Sequence, residues 1–307
     1  MLSQTLNRAA RSARARRAVE SLPVTRSVVD RFVAGRTTAD AVDASAALVA
    51  QDRLITIDVL GEDITDLAGA RATRDGYLAL LEGLSDAGCA VGADVSVKLS
   101  ALGQALDSGD DIAAAHAHEI CAAADRVGAT VTLDMEDHTT TESTLGIGRS
   151  LRAEFPWVGN VLQTNLLRTP GDLAALAEAG TRIRLVKGAY REPASVGLAR
   201  KADVDRAYER AIDALMASSC YPMIATHDEA MLDRATARAD EAGRDAGDWE
   251  TQMLYGVRTD LQQRAVDSGL RMRVYLPFGT DWYGYFMRRL AERPANVAFF
   301  VRALAHR

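Results

Sequence analysis

From residue 54 to its end the chain alternates short β-rich runs with helical ones, and the alternation completes eight rounds. The β-rich runs are Leu54 to Leu60, Val95 to Ser100, Thr130 to Glu136, Asn160 to Leu166, Ile183 to Ala189, Met223 to Asp228, Trp249 to Tyr255 and Met272 to Pro277. Each is followed by a stretch of helical periodicity, for example Ile112 to Val127 and Asp203 to Ala217. Strand followed by helix, repeated, implies a parallel sheet with right-handed crossovers. Eight such units within about 250 residues is the count at which the sheet closes on itself. The expected fold is therefore α/β, a distorted (β/α)8 TIM-type barrel. A doubly wound sheet would usually carry a Gly-rich turn after its first strand. No GxGxxG occurs, and Gly146 and Gly148 lack the third glycine. Residues 1–50 read as a helical extension punctuated by Pro23 and Gly35, and residues 51–307 as the catalytic barrel.

Charge and composition exclude several classes. The net charge of −6 argues against nucleic acid as a partner. Cys89, Cys121 and Cys220 are widely spaced with no CxxC, which fits a reducing, cytoplasmic setting. No apolar run approaches the ~18 residues of a membrane span. Arg8, Arg11, Arg14, Arg16 and Arg17 precede the first acid, Glu20. This reads as a basic surface helix, one that allows peripheral contact with the inner face of an anionic membrane.

Function in such a barrel gathers at the C-terminal ends of the strands. Those ends carry Lys98, then Asp134, Glu136 and His138, then Gln163 and Asn165, then Arg184 and Lys187. Thr226, His227, Gln252 and Tyr275 follow. Polar groups in buried strands cost free energy unless paired, so their convergence points to a site. Beyond the Pro277–Gly279 break, Tyr285, Arg288 and Arg289 fall three and four residues apart on one helix face. Two guanidiniums and a phenol there suit a small carboxylate with an apolar body. The bland alternative pairs Arg288 with Glu292 one turn on. Lys187 as a Schiff-base lysine of an aldolase is a second enzyme reading. A metal-dependent hydrolase using Asp134, Glu136, His138 and His227 is a third, although these lack tight ligand spacing. A non-catalytic barrel that binds an amino acid is a fourth. His116 and His118 diverge on a helix, and the three Trp residues read as packing.

The strings VKLSALG, TLDMEDH, NVLQTNL, IRLVKGAYRE, IATHDEAM, QMLYG, YLPFG and YFMRRLAE resemble those of the proline dehydrogenase family, in order, over most of the chain. The resemblance implies a short, monofunctional, bacterial-type member. It implies FAD-dependent oxidation of L-proline to 1-pyrroline-5-carboxylate, with hydride transfer from proline C5 to flavin N5 and a quinone as electron acceptor. A separate pyrroline-5-carboxylate dehydrogenase would be a functional partner. By the same resemblance, Lys98, Arg288 and Arg289 bind the proline carboxylate, while Leu185, Tyr275 and Tyr285 line the ring. Asp134 and Arg184 belong to the catalytic centre with Tyr275. Met135, Gln163, Arg184, Lys187, Gly188, Ala189, Thr226 and His227 contact FAD, and Glu292 steadies an active-site arginine. The resemblance breaks at Arg191, where some relatives carry Trp, and in the Tyr275–Tyr285 spacing, two shorter than in the long bifunctional members.

Overall fold

The computed structural model describes residues 29–61, 64–177 and 180–292, with side chains as far as Met287. Helix α1 (Thr38–Val49) precedes the barrel and starts at a capping box. The Thr37 hydroxyl accepts from the Asp40 amide at 3.2 Å, and the Asp40 carboxylate accepts from the Thr37 amide at 2.9 Å. Eight strands follow: β1 (Leu54–Val59), β2 (Asp94–Val97), β3 (Thr130–Leu133), β4 (Gly159–Gln163), β5 (Arg182–Val186), β6 (Tyr221–Ala225), β7 (Glu250–Leu254) and β8 (Met272–Phe278). The helices after them are α2 (Leu67–Asp86), α3 (Gly109–Val127), α4 (Thr141–Arg152), α5 (Thr169–Leu176), α6 (Lys201–Met216), α7 (Glu229–Glu241), α8 (Thr259–Asp267) and α9 (Trp282–Glu292). Every strand pairs in parallel with its sequence neighbours, and β1 pairs with β8 from Leu54↔Arg273 to Val59↔Phe278, which closes the barrel.

The expected fold is the one observed. The strands are shorter than their β-rich runs, because the ladder stops where the chain turns outward at the mouth. After Val97 the backbone enters a 3-10 turn (Leu99–Leu102) that ends at Gly103 with φ 102°, so Lys98 sits at the rim rather than inside the strand. Asp134, Lys187, Thr226 and His227 likewise stand just beyond their strands. The basic residues 1–28, on which the membrane expectation rests, lie outside the described residues. Among the described residues no helix is long and apolar enough to cross a membrane.

Side chains alternate across each strand. The outward set is apolar: Ile55, Ile57, Val95, Val97, Val131, Leu133, Val274 and Leu276 pack with Tyr77, Leu80 and Leu84 of α2 and Ile120 of α3. Ile183, Leu185 and Ile224 do the same with Tyr208, Ile212 and Leu215 of α6. A third cluster joins Val29, Phe32 and Val33 to Leu60 and to Trp282, Tyr285 and Phe286 of α9. There the segment before α1 runs along the end of β8, with the Ala34 amide donating to Pro277 O at 2.9 Å and the Gly279 amide to Gly35 O at 3.1 Å. It braces the helix that carries the Tyr-Arg-Arg face. The inward set is largely polar, with Met223 beside Arg182 among the exceptions, unlike the near-continuous apolar strands usual in parallel sheets.

Candidate active site

Two linked groups of charges occupy the mouth of the barrel. Lys98, at the end of β2, donates to both oxygens of Asp58 on β1 at 2.8 and 2.9 Å. Asp58 is fully buried, and its partner's ammonium also lies 3.7 Å from Asp134. Burial would lower the Lys98 ammonium, but Asp58 and Asp134 outweigh it and hold Lys98 well above the ordinary lysine range. The second group centres on Asp134. Its Oδ1 accepts from Arg184 Nη1 at 2.7 Å, and its Oδ2 accepts from the Tyr275 hydroxyl at 2.7 Å. Burial alone would raise this carboxyl. Arg184 and Lys98, with hydrogen bonds from Ser96 and Tyr275, reverse that and keep it below the usual carboxylate range. Burial first, then Asp134 and Asp58, push the Tyr275 phenol far up, so it remains a donor. The Arg184 guanidinium lies over the Tyr275 ring, 5.4 Å from its centroid.

Arg184 is anchored from below as well. It donates to Ser96 Oγ at 2.7 Å and, through Nη2, to Asp94 at 3.0 Å. Deeper still, Arg273 forms a fork with Glu250 at 2.6 and 2.9 Å and reaches the carbonyl of Ile55. Burial would raise Glu250, but Arg273 dominates and draws it down to about 2.

The β3 and β4 ends meet where Gln163 Nε2 donates to the Glu136 carbonyl at 3.0 Å, while Ser100 Oγ holds the Glu136 carboxylate at 2.8 Å. Among the described residues, Gln163 Oε1 and Arg184 Nε are buried without a hydrogen-bond partner. Buried polar atoms of that kind are available to a water or a ligand. Gly188 takes φ 101°, and a Cβ there would stand 2.0 Å from Asn165 Oδ1. Only glycine allows the β5 end to lie against the β4 end. His227 Nε2 accepts the Leu254 amide at 2.9 Å, so its ring proton sits on Nδ1.

Lys98, Asp134, Arg184 and Tyr275, named from the sequence, therefore come together, and Gln163 lies at the adjoining rim. Tyr285 is buried in the α9 cluster. Arg288, Arg289 and Glu292 belong to α9, but their side chains lie outside the described residues. Two expected residues stand elsewhere. Leu185 does not line the mouth: it alternates with Arg184, so its side chain points outward into the layer of α6. Met135 is buried in the same apolar cluster. Lys187 also faces α6, donating to Asp205 at 2.7 Å and Asp228 at 3.3 Å, with its ammonium 5.6 Å from the Tyr208 ring centroid. Sequence reasoning missed Asp58, Asp94 and Ser96. Their signal was the alternation of Thr56 with Asp58 and of Asp94 with Ser96 along apolar strands. Of the two histidines on α3, His116 Nδ1 lies 3.0 Å from the Leu102 carbonyl and His118 pairs with Glu154.

The fold and mouth define a (β/α)8-barrel enzyme with a buried, charge-lined centre at the strand ends. The proline dehydrogenase family pattern matches residues 41–302. A proline dehydrogenase of Deinococcus radiodurans is 42% identical over 283 residues, 91% of this chain and 90% of that one. Proline dehydrogenase 1 of Bacillus subtilis is 36% identical over 280 residues, 91% of each chain. The proline utilization A protein of Bdellovibrio bacteriovorus, solved after inactivation by N-propargylglycine, superposes with a TM-score of 0.79 at 25% identity, covering 87% of this chain. This chain spans about a third of that protein's length, 32%. The chain belongs to the proline dehydrogenase family, and it is an oxidoreductase whose substrate is proline.

Proposed function

We propose that this site oxidises L-proline at C5 to 1-pyrroline-5-carboxylate with bound FAD, and that a quinone finally receives the electrons. The reading is carried by the grouping of Lys98, Asp134, Arg184 and Tyr275 at one mouth, beside two buried polar atoms that have no partner. Those two atoms fit a flavin: Gln163 Oε1 offers an acceptor and Arg184 Nε a donor, matching the mixed polar edge of the heterocycle. Gly188, Ala189, Thr226 and His227 supply a close-approach backbone and polar groups along the neighbouring rim, with Lys187 beside them. The flavin, when bound, supplies the two-electron acceptor for the C5 hydride.

The chain's own work is positioning and proton control. Lys98, with Arg288 and Arg289 of α9, holds the proline carboxylate, and Glu292 steadies one of those arginines. Tyr275 and Tyr285 bound the apolar ring. Clamping one end of a small substrate fixes the other, which supplies the orientation such a reaction needs. Proline must lose its ammonium proton before C5 gives up hydride, because the nitrogen lone pair forms the C=N bond. Cations at the mouth favour that loss. Asp134 holds Arg184 and Tyr275 in register with each other, so one carboxylate sets both the charged floor and the ring wall. The Lys98–Asp58 pair is electrically neutral by itself, so the arginines of α9 provide the net attraction for the carboxylate.

The purified protein is expected to be yellow, and anaerobic proline should bleach its flavin absorption. A colourless protein that FAD cannot reconstitute would refute the reading.

A further inference from the structure

We infer that Asp94, at the base of the site, is a positioning residue that acts through Arg184 to set the redox poise of the bound flavin. The inference rests on the functional reading above. Asp94 opens β2 and is fully buried. Its carboxylate accepts from Thr56 of β1 at 3.0 Å, from Thr130 and Thr132 of β3 at 2.8 and 3.0 Å, and from Arg184 of β5 at 3.0 Å. Arg182 lies 3.6 Å away. A bare ion pair with Arg184 would need one oxygen and no threonines. Three hydroxyls from the two flanking strands instead fill the remaining acceptor sites and fix the plane of the carboxylate.

That plane in turn fixes Arg184. One end of the guanidinium is held by Ser96 and Asp134, and the other by Asp94. Both ends of a rigid fork are thereby tied, and Nε–H is buried without a partner among the described residues. The two carboxylates also offset the positive charge that Arg184 presents to the mouth. Removing the charge of Asp94, while keeping its shape, leaves Arg184 balanced by Asp134 alone. A more positive neighbour favours the reduced flavin, which carries more negative charge.

The test is Asp94→Asn in the full chain loaded with FAD, with the midpoint potential measured by dye equilibration in the absence of proline. The expected result is a rise of about tenfold in the reduced-to-oxidised ratio at fixed potential, ~30 mV for a two-electron couple. Thr132→Val keeps the charge and removes one hydroxyl, so it should lower thermal stability with a clearly smaller change in potential. A merely structural role for Asp94 would make the two variants behave alike, and that result, or an unshifted Asp94→Asn, overturns the inference. Should Asp94→Asn fail to fold, Arg182→Gln serves instead. It deletes the second cation that shares Asp94, so the potential should fall, and an unchanged or raised value refutes the inference. A parent protein that binds no FAD overturns the functional reading and this inference together, whereas a yellow parent with an unshifted variant overturns this inference alone.

Discussion

Neutralising Asp58 and Lys98, singly and together, probes the charge arrangement at the mouth. The pair is bidentate at 2.8 and 2.9 Å, with the side chains of Lys98 and Asp58 only 14% and 2% exposed. Asp58→Asn leaves a buried ammonium whose nearest remaining carboxylate is Asp134 at 3.7 Å. Lys98→Met leaves a buried carboxylate facing an apolar chain. Breaking a buried pair by removing one partner costs about 3–5 kcal/mol, while replacing both charges together is often close to neutral. Each single variant should therefore lose about 3–5 kcal/mol and the double variant no more than ~2 kcal/mol, a coupling of at least ~4 kcal/mol. At about 2 °C per kcal/mol for a large domain, that is ~6–10 °C for either single change and under ~4 °C for the pair. Differential scanning calorimetry on the four proteins gives the cycle directly. Additive losses would show that the two side chains do not act as a buried pair, and the claim that Lys98 is neutralised before proline arrives would fall with them. The same proteins separate stability from binding. Asp58→Asn keeps the ammonium and frees it from its partner, so its proline KM should not rise, whereas Lys98→Met should raise KM at least about tenfold, ~1.4 kcal/mol.

Tyr275→Phe removes the phenol that donates to Asp134 at 2.7 Å, a charge-assisted bond of about 1.5–3 kcal/mol, so kcat/KM should fall roughly ten- to a hundredfold in a dye-coupled assay. An unchanged value would place Tyr275 outside the reacting centre. Gly188→Ala forces a side chain onto Asn165 at positive φ, strain of about 1–3 kcal/mol, and should reduce flavin content. Gly188→Ala with Asn165→Ala should recover part of it, and no recovery would refute the steric cause. Against its burial, Arg273 draws the folded pKa of Glu250 down from the ordinary 4.5 to about 2, so its stabilising contribution is complete above about 4.5 and is lost as pH falls through about 2. Glu250→Gln should flatten acid unfolding across that window and leave turnover per folded molecule unchanged; an unaltered acid transition would count against it.

The strand-helix rhythm was legible because each unit carries its own local signal, period two and then period 3.6. The mouth was legible in part because Lys98, Asp134, Arg184 and Tyr275 interrupt otherwise apolar runs. Asp58 interrupts LITIDVL in the same way, yet its meaning depends on Lys98, 40 residues further on, which alternation along one strand cannot reveal. The outward turn of Leu185 follows from its neighbour Arg184, since two adjacent strand residues cannot both face the mouth. A motif match names residues without saying which way the pleat turns them. The strands were read too long because β-rich composition continues into the rim, where backbone pairing has already ended. Gly188 was read as a place for a cofactor to approach. The structure adds a second reason, the pressure of Asn165, which lies more than 20 residues earlier and has no local trace.

The interior of the barrel also limits how this chain can vary. Lys98, Arg182, Arg184 and Arg273 face inward with Asp58, Asp94, Asp134 and Glu250, so the described interior holds cations and carboxylates in equal number. Like an ionic crystal, it tolerates the exchange of matched units better than the loss of one. A lineage that changed one of these charges alone would pass through a state with an uncompensated ion in a largely buried interior. Substitutions inside the barrel should therefore appear as coupled exchanges across strands, while the apolar layer outside it drifts one methylene at a time.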